Sequence, residues 1–287
     1  RRYLDGYALP SQLEATDDLG SAVRGADLLL MGVPTHGFRQ VLESVADAVE
    51  PGTPVISLAK GFERSTGLRM SQVAADVLPG RPVGVLTGPN LAREILEGRS
   101  AATVIAATDP SAASALQGLL ASERLRVYTN DDLVGCELGG ALKNVIALAA
   151  GMAEGLDTGD NARAALITRG LAEMTRLGVA LGGDPMTFAG LAGMGDVMAT
   201  CMSPQSRNRW VGEQVGRGAS PESVLAGMDQ VAEGVSTAAV ACEMAATVGV
   251  EVPVAEGVRS VFDLGRSPTE VWSELMSRRS GPEVATT

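Results

Sequence analysis

Apolar residues along this chain follow two rhythms. Over the first 131 positions, short continuous apolar or β-branched runs recur at 26–34 (ADLLLMGVP), 54–58, 82–86, 102–107 and 124–128, with helical patterns such as 38–49 between several of them. Apolar strands alternating with helices define a parallel sheet covered on both faces, so a doubly wound domain is expected there. From Asp132 the strand signal ends, and Ala-, Leu-, Gly- and Met-rich stretches at helical spacing run on to Met276. Leu166, Gly170, Leu171, Met174 and Leu177 fall on one face at steps of three and four, the amphipathic period. The expectation is an α/β chain in two domains, a sheet domain at 1–131 and an all-α domain at 132–287. The polar stretch from Arg278 to Thr287 reads as a frayed tail.

At 287 residues the chain is long enough for two domains with a buried core each. Its formal charge of −11 argues against nucleic acid, whose phosphates require an excess of Lys and Arg. A small anion remains compatible, provided a few cations converge locally. Cys136, Cys201 and Cys242 are an odd number at spacings that fit neither a zinc site nor a disulfide framework, so reduced thiols in the cytoplasm are expected, without a metal. The first residues, Arg1 to Gly6, carry no apolar signal region, and the longest apolar stretches are interrupted by Lys143, Asn144 and Glu154. A soluble protein follows.

In an open parallel sheet, ligands bind beyond the carboxyl ends of the strands. Three such ends stand out: Val33-Pro34-Thr35-His36, Ala59-Lys60-Gly61-Phe62 and Thr87-Gly88-Pro89-Asn90. Each places small residues or Pro where a backbone approaches a ligand, and the second adds a cation, although its position fits a solvated loop lysine equally well. His36, the only histidine, reads as structural or cofactor-proximal. In the helix around 135–148, Lys143 has Gly139, Gly140, Ile146 and Ala147 at i±3 and i±4, so it emerges from a face built for close packing. A lysine desolvated there has the lowered pKa that proton exchange with a carbinol or carbonyl requires; a lysine that snorkels to water is the alternative. Gly190 to Asp196 reads as a flexible glycine loop delivering one carboxylate, and its glycines are in the wrong order for a dinucleotide fingerprint. Ser206-Arg207-Asn208-Arg209 concentrates donors suited to a phosphate dianion, or is an ordinary helix cap with exposed arginines. Gln230-Val231-Ala232-Glu233-Gly234 opens a later helix with a single acidic group.

Taken together, these motifs resemble the bacterial NAD(P)-dependent glycerol-3-phosphate dehydrogenases over nearly the whole chain, with Glu137 to Val145, Gly159 to Leu166 and Gln230 to Gly234 the longest ordered matches and Gly193 to Asp196 a shorter one. The resemblance implies a Rossmann-like parallel-sheet domain followed by a helical domain, NAD or NADP as cofactor, and interconversion of dihydroxyacetone phosphate and sn-glycerol 3-phosphate for glycerophospholipid synthesis. It implies Lys143 as the proton acceptor. Lys60, Gly88, Asn90, Lys143, Asp196, Ser206, Arg207 and Asn208 match its substrate contacts, and Lys60, Ala92, Arg207, Val231 and Glu233 its cofactor contacts. Asn90 departs from the resemblance, which implies that Ser or Thr is usual there.

The family's opening strand, glycine fingerprint and first helix, a unit of roughly 30 residues, have no counterpart in the sequence, so they are expected upstream of Arg1, and the chain by itself is expected to be inactive. Two other readings compete: a lysine-dependent reductase of the β-hydroxyacid or ketopantoate type, and a non-catalytic helical module. A homodimer through the small residues of 139–151 is also expected.

Overall fold

The computed structural model describes residues 6–8, 10–228 and 231–278. The sheet comprises β1 (Leu29–Met31), β2 (Val55–Ser57), β3 (Val83–Thr87), β4 (Ala101–Ala107) and β5 (Leu125–Asn130), in that spatial order. With it run α1 (Leu19–Val23), α2 (Thr35–Val45), α3 (Met70–Val77), α4 (Ala92–Leu96) and α5 (Pro110–Leu120). The rest is helical: α6 (Leu133–Gly155), α7 (Asp160–Ala180), α8 (Pro185–Ala189), a π turn at Leu191–Gly195, α9 (Asp196–Met202), α10 (Arg207–Gly216), α11 (Pro221–Ala226), α12 (Glu233–Val248), α13 (Pro253–Phe262) and α14 (Pro268–Ser277). The expected tail from 279 onward lies outside the described residues.

Alternation along the strands decides which layer each residue joins. Leu29, Met31, Val55 and Val83 pack with Phe38 and Leu42 of α2 and Met70 and Val73 of α3. On the other face, Ile56, Ile105 and Val127 meet Ala113 and Leu116 of α5. Val85, Val104 and Ala106 pack with Cys136 of α6 and Ala192 of the π turn, which joins the sheet to the helical part.

The sheet departs from the expected all-parallel pattern at one place, where β4 runs antiparallel to β3. A parallel crossover needs a dozen or more residues and normally a helix that spans the sheet, whereas 88–100 holds only the five helical residues of α4. The chain therefore turns back on itself, which brings the start of β4 beside the carboxyl end of β3, on the same edge of the sheet as those of β1 and β2.

Helix α6 is the hub of the helical part. Asp132 caps it by accepting from the Gly135 amide at 2.8 Å. By length and by its hydropathy of 1.4 it is apolar enough to cross a bilayer, contrary to expectation, because a single lysine and asparagine do not offset its Ala, Leu and Val content; 89% of that window is buried inside the protein, as a core helix requires. Gly151 and Gly155 face Gly212 and Gly216 of α10 so closely that a Cβ at Gly151 would collide with the Arg209 carbonyl, and one at Gly212 with that of Leu148. The small residues expected to serve a dimer are thus consumed within the chain, buried from Gly139 to Gly151.

Three buried or half-buried glutamates cap helices remote in sequence. Glu137 of α6 accepts from the Ser71 amide (2.8 Å) and hydroxyl (2.6 Å) at the start of α3 and pairs with Arg69. Glu233 of α12 accepts from the amide of Thr35 at 3.1 Å and from its hydroxyl, at the start of α2. Glu173 of α7 accepts from the amides of Val254 and Ala255 at 2.8 and 3.0 Å in α13. Each satisfies amides that a helix start leaves without an internal partner, and the first two tie the helical part to the sheet domain.

Candidate active site

The carboxyl ends of β2 and β3 deliver Lys60, Gly88 and Asn90, and α6 and α9 deliver Lys143 and Asp196. Asp196 opens α9 directly from the π turn, which is a regular element and not the flexible loop expected from its glycines. The glycines are there for contact: a Cβ at Gly139 would lie 2.6 Å from the Ala192 carbonyl, and one at Gly193 would collide with the backbone of Phe188. Close packing of the π turn against α6 sets the carboxylate opposite the lysine.

Asp196, 2% exposed, lies between two ammonium groups. Its Oδ1 is 2.5 Å from Lys143 Nζ and its Oδ2 is 2.7 Å from Lys60 Nζ. Lys143 also donates to Thr200 Oγ1 at 2.7 Å. Lys60 also donates to the Gly88 carbonyl at 3.0 Å and to Asn90 Oδ1 at 3.1 Å. Since a lysine has three N–H donors, Lys60 is saturated by protein acceptors while Lys143 keeps one donor unspent among the described residues. Burial together with the Lys60 charge lowers the Lys143 pKa to about 8, against the opposing pull of Asp196. Burial alone would raise the Asp196 carboxyl, but the two lysines overcome it and hold it below its ordinary value.

An amide relay extends the site. Asn144 Nδ2 donates to the Lys60 carbonyl at 2.9 Å, Asn208 Nδ2 to Asn144 Oδ1 at 3.0 Å, and the Gly234 amide to Asn208 Oδ1 at 3.0 Å. Glu233, next to Gly234, lies against Gly61, where a Cβ would be 2.8 Å from its Oε2. One connected network therefore holds Lys60, Gly88, Asn90, Lys143, Asp196 and Asn208, with Glu233 beside it.

The other expected site residues lie outside that network. Ser206 is buried and caps α10 by accepting from the Arg209 amide at 3.2 Å. Arg207 is exposed beside it and has no ion pair among the described residues. Ala92 begins α4 at the surface, Val231 is 39% exposed just before α12, and His36 is exposed. Gln230 lies outside the described residues.

Sequence reasoning gave no role to Thr200, Asn144, Thr35 or Thr103. Thr200 carried a legible signal, its position one turn after Asp196 on a helix. The others depend on contacts distant in sequence.

A sheet whose strand ends face a helical half bearing a desolvated lysine is the arrangement of a two-domain nicotinamide-dependent dehydrogenase. Known proteins narrow that class. The models of the NAD-dependent glycerol-3-phosphate dehydrogenase N-terminus and C-terminus match residues 1–113 and 132–273. The chain belongs to that family and is an oxidoreductase that uses NAD or NADP.

It is 54% identical to glycerol-3-phosphate dehydrogenase [NAD(P)+] 2 of Sphingopyxis alaskensis over 99% of this chain and 85% of that protein. The corresponding enzyme of Mycobacterium avium is 49% identical over 99% and 83%. The crystal structure of glycerol-3-phosphate dehydrogenase from Coxiella burnetii superposes with a TM-score of 0.93 at 35% identity, covering 96% of this chain and 85% of that one. A ketopantoate reductase from Ralstonia eutropha, 16% identical with a TM-score of 0.53 over 90% of this chain and 79% of that one, shares the fold alone.

Proposed function

We propose that this site interconverts dihydroxyacetone phosphate and sn-glycerol 3-phosphate, with Lys143 as the proton-transfer group. The observation that carries the reading is the pair of lysines on one buried carboxylate, of which only Lys143 has a donor position left for a substrate oxygen. In the oxidative direction, neutral Lys143 takes the proton of the C2 hydroxyl. In the reductive direction its ammonium returns a proton to the carbonyl oxygen. Lys60 places a fixed positive charge beside that oxygen, and Asp196 holds the two nitrogens at a set separation.

The phosphate is anchored by Arg207, Ser206 and Asn208 at the start of α10, where the unpaired guanidinium and the amide ends of the helix favour an anion. Binding a remote dianion orients the reacting carbon at little entropic cost in the transition state. NAD or NADP supplies the hydride acceptor or donor when bound. The donor set on this chain suits its nicotinamide end: the small-residue crests after β1 and β2, with Lys60, Ala92, Arg207, Val231 and Glu233 as the residues that would hold it. The cytoplasm is the compartment consistent with three unbridged thiols.

Oxidation of NADH or NADPH with dihydroxyacetone phosphate, compared with unphosphorylated dihydroxyacetone, on the chain and on a version extended upstream of Arg1, tests the assignment. Turnover that depends on the phosphate is expected. Equal turnover of both substrates, or turnover of a 2-oxo acid in their place, would move the chain to another reductase activity.

A further inference from the structure

We infer that Thr103, at the start of β4, is a positioning residue that acts through Asn90 on Lys60 and so on the proton affinity of Lys143. Thr103 touches neither lysine. It is 1% exposed, and its hydroxyl donates to the Thr87 carbonyl at 2.7 Å. A hydroxyl has one proton to give, so toward Asn90 the Thr103 oxygen can only accept, and Asn90 Nδ2 donates to it at 3.1 Å. That fixes which way round the amide sits. Its Oδ1 faces Lys60 Nζ at 3.1 Å, and the row Lys60, Asn90, Thr103, Thr87 runs with every donor pointing the same way into the sheet.

The tether exists only because β4 reverses against β3, so that Val104 pairs with Thr87 and Thr103 lies next to the loop that follows it. Asn90 spans the gap between Lys60 and Thr103, and one end of its amide is committed to each. Its role in this chain is therefore to hold Lys60, with substrate contact secondary.

Removing the Thr103 hydroxyl leaves the Asn90 NH2 without its acceptor, so the amide is no longer fixed and its Oδ1 ceases to hold Lys60 Nζ in place. Lys60 then shifts from the position where its charge opposes protonation of Lys143, and Asp196 is released to pair more fully with Lys143. Both changes raise the affinity of Lys143 for its proton. Lys60 and Asp196 are the charged groups acting on Lys143 from the strand ends and from α9, and Cys201, also on α9, is pushed up to about 12 by burial, well outside the range measured.

The inference rests on Lys143 as the proton-transfer group, and the experiment separates the two. In the full chain, the pH dependence of kcat/KM for glycerol 3-phosphate oxidation is measured for wild type, Lys143→Ala, Thr103→Val, Thr103→Ser, Asn90→Ala and the Asn90→Ala/Thr103→Val pair. The rising limb of wild type is expected to move alkaline by about half a pH unit or more in Thr103→Val. Thr103→Ser is expected to restore it. Asn90→Ala should give the same displacement, with nothing added by the second substitution.

A packing role predicts the opposite ranking, because Val keeps the side-chain volume and Ser leaves a methyl-sized hole. A wild-type limb in Thr103→Val, an impaired Thr103→Ser, or additive displacements would overturn the inference while leaving Lys143 in place. A limb that survives in Lys143→Ala would overturn the reading of Lys143 and the inference with it.

Discussion

At the scale of single residues, the proposed chemistry turns on two lysines that share a carboxylate and differ in what else they touch. Lys60 spends its three donors on Asp196, Gly88 and Asn90, while Lys143 spends two and is the more deeply buried. Lys143→Ala is expected to lower kcat by about 10²- to 10⁴-fold with cofactor binding retained, as measured by single-turnover rates and cofactor titration. The pH dependence has a definite sign. Because burial lowers this lysine to about 8, the neutral base needed for glycerol 3-phosphate oxidation accumulates as pH rises through that value. The ammonium needed for dihydroxyacetone phosphate reduction is lost over the same interval. The two kcat/KM profiles should therefore have opposed limbs near that pH, and parallel profiles would remove Lys143 from the proton transfer. Arg207, exposed and without an ion pair among the described residues, is proposed to bind the phosphate. Arg207→Ala should raise KM for the phosphorylated substrate by about tenfold or more, with little effect on an unphosphorylated analogue.

At the scale of elements, the position of Lys143 depends on how closely α6 can be approached. Gly139 meets the π turn that presents Asp196, and Gly140 lies against Thr87 at the end of β3, so both neighbours of the lysine one turn back are contact points. On the far half of the helix, Gly151 and Gly155 admit α10, which carries Arg207 and Asn208. A Cβ at Gly151 would strike the Arg209 carbonyl, which is backbone and has no rotamer to escape into. Gly151→Ala is therefore expected to destabilise the fold by about 2–3 kcal/mol, read by urea unfolding, and to weaken phosphate-dependent binding because α10 is pushed away. The helical period on 160–180 and the small-residue face of α6 were both legible in the sequence. That α6 serves α7, α9, α10, α12 and the sheet at once, leaving none of 139–151 for a partner, was not, because period and composition describe a face without saying what covers it.

At the scale of the whole molecule, Glu137 and Glu233 reach from the helical part to cap helices α3 and α2 of the sheet domain. The Glu137 carboxyl is fully enclosed, and burial raises its pKa against the pull of Arg69 and Ser71. Removing one partner of such a group leaves the other charged and unsolvated. Glu137→Ala is expected to cost about 3 kcal/mol or more in equilibrium unfolding and to loosen the two parts relative to each other. Glu137→Gln, which can still accept from the Ser71 amide, should cost less. A substitution to Ala that left the unfolding midpoint unchanged would show that the clasp adds nothing net.

The division between sequence and tertiary structure follows from range. Alternation, helical period and the glycine-rich strand ends act within a few residues, so the chain alone determined the five strands to within a few residues and the all-helical second half, and marked Lys60, Lys143 and Asp196 as candidates. Tertiary structure alone decided the reversal of β4, since it depends on whether 88–100 can span the sheet. It also decided the amide relay through Asn144 and Asn208, the carboxylate that joins Lys60 to Lys143 across 136 and 53 positions, and the tether from Thr103. These are contacts between side chains whose separation along the chain exceeds any local period, and only packing fixes which donor meets which acceptor.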